Sequence, residues 1–150
     1  MPSFNYDFPY STKKLPVFAS NVVASSQHLA ATAGLRMMAR GGNAVDAAIA
    51  SAIAITVVEP TMNGIGADAF CILWDGQKLV GLNAAGHSPA LMTPDQYKGQ
   101  EKMPHVGWGS VTTPGAVSLW MELHKRYGKL PFADLFEPGI KYASDGFRVS

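Results

Sequence analysis

The sequence predicts an α+β domain, and three observations carry that expectation. Apolar residues follow helical spacing in two early stretches and two late ones, with a short alternating hairpin pattern between them. The stretch from Ala47 to Val58 has no charge and is dominated by Ala, Ile and Val, as a helix buried on most of its surface requires. Asp75-Gly76 sits between two apolar runs, and Asp-Gly is a favoured hairpin turn because both positions tolerate positive φ.

Each element follows in order. Residues 1–21 mix Pro, Tyr, Phe and Ser without periodicity and read as an extended arm over the body, leaving 22–150 as the folded unit. Val22–Ala24 reads as a short strand leading into Ser25 and Ser26, either of which can cap a helix over Gln27–Ala39. Ala31, Leu35 and Met38 form its apolar stripe, and Gly41–Gly42 end it. Asn43 opens the next helix, with Asp46 near the positive end of its dipole. Pro60 stops it, and the β-branched run Ile55–Val58 predicts fraying before that point.

Strands are expected at Ala69–Trp74 and Lys78–Ala84. Thr93-Pro94-Asp95-Gln96 combines a cap, a proline at the first helical position and Gln at the third, so a short helix starts there. Gly99–Gly109, with Trp108, reads as a loop. Thr113-Pro114 begins a further helix by the same logic, with Val117, Trp120, Met121 and Tyr127 as its stripe and Gly128 as its end. A last helical stretch, Phe132–Asp145, is expected to bend at Pro138 because the residue before proline is disfavoured in the α region, and Gly146 stops it. Two strands alone are marginal, so the sheet is expected to need partners from outside the hairpin.

Composition excludes several classes. Hydrophobic residues make up 47% and charged residues 15%, as in a packed globular chain. Twelve basic and eleven acidic residues are spread without runs, which leaves no basic stripe for nucleic acid. Cys71 is the one cysteine, so no internal disulfide or cysteine metal cage forms, and His28, His105 and His124 lack ligand spacing. No cofactor motif is found. The apolar run is too short for a membrane span, and the first residues do not resemble a secretory signal, which points to the cytoplasm.

The loop "GIGADA", Gly64–Ala69, reads G-x-G-x-x-A. A dinucleotide fingerprint follows a strand and opens a helix. Here a helix comes first and a hairpin follows, so nucleotide binding is rejected. The glycines allow a tight turn between helix and sheet; Asn63, Gly64 and Gly66 are also candidates to border a substrate cavity.

The blocks "GGNAVDAA", "VVEP" followed by "GIG", and the long run from Ser110 to Ser150 resemble the start of the γ-glutamyltransferase (glutathione hydrolase) family. The resemblance implies the N-terminal part of the large subunit of an N-terminal-nucleophile hydrolase, an αββα sandwich incomplete in this chain. Residues 22–150 then form a partial large-subunit domain whose partners are the remainder of the large subunit and the small subunit. Such enzymes cut themselves before a threonine that becomes the nucleophile. That threonine lies beyond Ser150, so no catalytic residue is expected here. The implied activity is cleavage of γ-glutamyl amides, with transfer to water or an amine. The alternatives are an acylase or amidohydrolase of the same fold, or a non-catalytic truncated product.

The γ-glutamyl-specific members of that family hold the substrate carboxylate with an arginine at the end of the second hairpin strand. Aligning Leu82 and Pro89 places Ala85 at that position and Gly86 at the neighbouring acidic one. Alanine offers no bidentate contact to a carboxylate. His87 shares Ala85's side if strand alternation continues, and is the candidate to line the pocket in its place.

Overall fold

The computed structural model describes residues 16–149. Four α-helices and one hairpin appear in the expected order: α1 (His28–Ala39), α2 (Ala44–Val58), β1 (Ala69–Trp74), β2 (Leu79–Ala84), α3 (Ala116–Tyr127) and α4 (Glu137–Asp145). Single 3₁₀ turns occupy Pro94–Tyr97, Trp108–Ser110 and Phe132–Phe136. Most of the predicted arm lies outside the described residues; 16–21 are exposed and without regular structure. Val22–Ala24 is not a strand, because none of the described residues offers it a ladder.

Helix α2 is the centre of the molecule. Val45, Asp46, Ala47, Ile49, Ala50, Ile53, Ala54 and Val58 are all buried, as its nearly uncharged sequence requires. Its N-terminus is a complete capping box: the Asn43 side chain accepts from Val45 and Asp46 N–H, and Asp46 accepts from Asn43 N–H at 2.9 Å. Asp46 is fully buried, and its carboxylate also accepts from Lys129 N–H at 3.0 Å and Leu130 N–H at 3.3 Å. One side chain thus satisfies orphan donors of a helix start and of a loop far along the chain.

Helix α1 packs on α2 through Ala30, Ala33, Gly34 and Met37, not through the predicted stripe. Leu35 is exposed, because close approach of the two helices selects the small residues and turns the long ones outward. The α1 cap is Gln27, whose side-chain oxygen accepts from Leu29 N–H; Ser25 accepts from Gln27 N–H and Ser26 donates to Glu59. Helix α3 starts at Ala116 behind Gly115, two residues later than Thr113-Pro114 predicts. It buries Leu119, Trp120 and Leu123, while Met121 faces outward. The bend before α4 occurs where the 3₁₀ turn gives way to α-helix, yet Glu137 itself is helical (φ −50°, ψ −49°), and Pro138 lies in the first turn, where its missing N–H costs nothing.

β1 and β2 pair antiparallel from Ala69↔Ala84 to Trp74↔Leu79. The turn is tighter on Gly76-Gln77 than on Asp75-Gly76: Asp75 N–H donates to Lys78 C=O, and among the described residues only glycines take positive φ. The second strand therefore begins at Leu79, one residue after the expected start. Ala69, Cys71 and Leu73, with Leu82 and Ala84, pack on the α2–α3 core. Phe70, Ile72, Trp74 and Leu79 point the other way and are exposed. The described residues thus make one helical layer against one face of a two-stranded sheet.

Candidate functional site

The end of β2 runs into a corner built with the segment before α3. Asn83 accepts from Ala85 N–H at 2.9 Å, Thr112 Oγ1 donates to Ala85 C=O at 2.9 Å, and Thr113 N–H donates to His87 C=O at 3.0 Å. The first free N–H groups of α3, from Gly115 and Ala116, both reach Ala67 C=O, at 3.0 and 2.9 Å. These bonds draw the glycine loop, the end of β2 and the start of α3 together.

A cleft of about 500 Å³ opens at this corner, walled by Asn83 to His87 on one side and by Thr113, Pro114, Gly115 and Ser118 on the other. Ala85 and His87 therefore share a cleft. Strand alternation is not the reason: β2 stops at Ala84, and Gly86 takes φ +76°. Among the described residues, His87 is the one titratable group lining it, and no arginine or lysine does so.

The glycine-loop candidates lie apart from this cleft. Asn63 donates to Glu59 C=O at 3.2 Å and so finishes α2, and Gly64 C=O accepts from Ala67 N–H at 3.1 Å. Both line a smaller cleft of about 160 Å³ with Thr56, Met62, Asp68 and Trp120. Gly66 lines neither and is exposed. The two clefts adjoin at the start of α3, Gly115 on one and Ala116 on the other, and across the paired Ala84 and Ala69.

Sequence reasoning missed Thr112, Gly115 and Ser118. The available signal was Pro114-Gly115, a turn dipeptide that argues against a helix beginning at Thr113. The hydroxyls of Thr32, Thr56 and Thr112 each donate to a backbone carbonyl, and none contacts a side-chain base. Burial pushes the Cys71 thiol up from its ordinary value, which suppresses its thiolate. Among the described residues no group of three or more His, Cys, Asp or Glu side chains could hold a metal, and no helix is long and apolar enough to cross a membrane. What this corner supplies is a shaped pocket with one imidazole on its wall.

Comparison with known proteins gives the chain's family and fold. The "Glutathione hydrolase-like YwrD proenzyme" of Bacillus subtilis is 40% identical over 91% of this chain and 27% of its own length. A cephalosporin acylase from Bacillus halodurans superposes with a TM-score of 0.86 at 49% identity, over 96% of this chain and 28% of that one. A gamma-glutamyltranspeptidase from Pseudomonas nitroreducens gives 0.80 at 32% identity, over 89% and 42%. The chain spans about a quarter of the length of the curated relatives it matches. These superpositions place the helical layer and hairpin in the N-terminal-nucleophile hydrolase fold. Because the model of the gamma-glutamyltranspeptidase family matches residues 30–150, from α1 through the cleft to α4, the chain belongs to that family.

Proposed function

We propose that this chain forms the acyl-side wall of an amide-cleaving enzyme whose acyl group is not γ-glutamyl. The nucleophile is a threonine outside these 150 residues, with its own amine as base. Its hydroxyl adds to the amide carbonyl, the amine passes the proton to the leaving nitrogen, and water or an amine then releases the acyl group from the threonine ester. The acyl group lodges in the cleft between Asn83–His87 and Thr113–Ser118.

One observation carries the choice of acyl group: among the described residues the cleft presents no guanidinium or ammonium at the position where γ-glutamyl members grip a carboxylate. A charged acyl group buried there would lack its counter-ion, an unfavourable arrangement. The 49% identity to a protein named a cephalosporin acylase supports the same choice. The γ-glutamyl reading keeps one observation of its own, the 40% identity to a protein named glutathione hydrolase-like. The outer hairpin face fits a second sheet supplied by the rest of the αββα sandwich, the remaining large subunit and the small subunit being the partners.

The test is turnover by the complete protein of a γ-glutamyl anilide and of simple acyl anilides. Acyl turnover without γ-glutamyl turnover is expected; the reverse sinks the assignment. In the same protein His87→Ala is expected to raise KM for the acyl substrate about tenfold with kcat little changed. Unchanged kinetics would remove His87 from the pocket.

A further inference from the structure

The cleft's two walls touch backbone to backbone. Gly86 and Gly115 face this crossing from opposite sides. A Cβ on Gly86 would fall closer than 3.0 Å to the Thr113 carbonyl, and one on Gly115 equally close to the Ala84 carbonyl. Backbone atoms cannot swing aside as a side-chain tip can, so the crossing exists only because both side chains are missing. Gly86 also takes φ +76°, which other residues rarely adopt.

Three bonds fasten the crossing. Thr112 Oγ1 holds Ala85 C=O at 2.9 Å, Thr113 N–H holds His87 C=O at 3.0 Å, and Gly115 N–H is anchored on Ala67 C=O at 3.0 Å. The separation of the walls is therefore set by the backbone crossing and the Thr112 hydroxyl bond, not by adaptable side-chain packing.

We propose that Gly86, Gly115 and Thr112 are positioning residues that set the width of the acyl cleft and with it the size of acyl group accepted. This rests on the acyl-site reading above. A wall held by main chain discriminates well, since one methylene more or less in a pocket changes specificity by roughly 10–200-fold.

The experiment uses the complete protein and a series of straight-chain acyl anilides from acetyl to octanoyl. Thr112→Val deletes the hydroxyl bond with little change of shape, Thr112→Ser keeps it, and Gly115→Ala forces the walls apart. For Thr112→Val the ratio of kcat/KM for long over short chains is expected to rise about tenfold. That change should enter through KM, with kcat for the short chain within about twofold of wild type. Thr112→Ser is expected to restore the wild-type ratio, and Gly115→Ala to shift it further in the same direction. If Gly115→Ala does not fold, the Thr112 pair decides alone. A Thr112→Val protein with lowered Tm but an unchanged ratio overturns the inference, leaving the crossing merely structural. Wild-type protein that turns over no amide overturns both the acyl-site reading and this inference; an active wild type with an unmoved ratio overturns only the latter.

Discussion

The inner and outer faces of the hairpin differ by one residue in phase and by almost everything in environment. Ala69, Cys71 and Leu73 pack on the α2–α3 core, whereas Phe70, Ile72 and Trp74 stand 63–79% exposed. Both sets are apolar. An ordinary one-sided antiparallel strand alternates apolar with polar, so a strand apolar on both faces is written to be covered twice. In the helical layer, by contrast, α2 is buried along most of its length, and its one carboxylate, Asp46, has its hydrogen bonds made.

Substitutions turn that contrast into measurements. The largest effect is expected at Asp46: Asp46→Ala removes a fully buried carboxylate that accepts from the part-buried N–H groups of Asn43, Lys129 and Leu130 and should cost about 3 kcal/mol, read from urea unfolding by circular dichroism. A loss under about 1 kcal/mol would mean that water replaces the carboxylate and the layer is not closed. Next comes Ile49→Ala, a cavity at a side chain 1% exposed, expected to cost about 3 kcal/mol by the same measurement.

Ile72→Ser probes the other side of the comparison. With the outer face covered by a second sheet in the complete protein, the loss should be about 2 kcal/mol. A face that stays in water would give a change within about 0.5 kcal/mol, and the two-sided reading of this strand would fail.

The smallest effect is expected at the hairpin tip. Asp75 accepts from Lys78 and Gln77 N–H, both at 2.9 Å, and these bonds hold its carboxyl below the ordinary 3.8. A lowered folded-state value means that the stabilisation is fully present above pH 3.8 and is lost as pH falls through the depressed value. Amide-exchange protection across Trp74–Leu79 should therefore weaken on acidification, and Asp75→Ala should show the weakened state already at pH 6 while Asp75→Asn does not. Equal protection in all three at pH 6 would exclude a role for the side chain.

How legible each part was depended on whether its determinants are local. The opening of α2 at Asn43 and the pairing of Ala69–Trp74 with the next strand could be read directly, because the interacting groups are close in sequence or alternate strictly; the reciprocal bond from Asn43 N–H to Asp46 was not read. The buried face of α1 could not. Its sequence is alanine-rich and weakly amphipathic, so the choice between Leu35 and Gly34 is made by how near α2 comes. The start of α3 was misplaced because Thr112 and Thr113 bond the end of β2 and not the helix, a demand invisible until the two segments meet. For the candidate site, the Ala85 position came from the resemblance, while His87 was named from a strand alternation that stops at Ala84. The opposing wall of the cleft was not read, and Gly66 was drawn in by a glycine pattern that serves the turn.

The Asp46 carboxylate has a consequence for the order of events during synthesis. Its last partners are 83 residues downstream, a length the ribosome adds in roughly 4–17 s at about 5–20 residues per second. Until Lys129 and Leu130 emerge, the N-terminal turn of α2 carries a hydrated anion that cannot be sealed off, so the central helix waits for the loop after α3 before it can settle. The layer then closes as a single late event, and nascent chains halted before Leu130 should be markedly more open to protease than those halted after it.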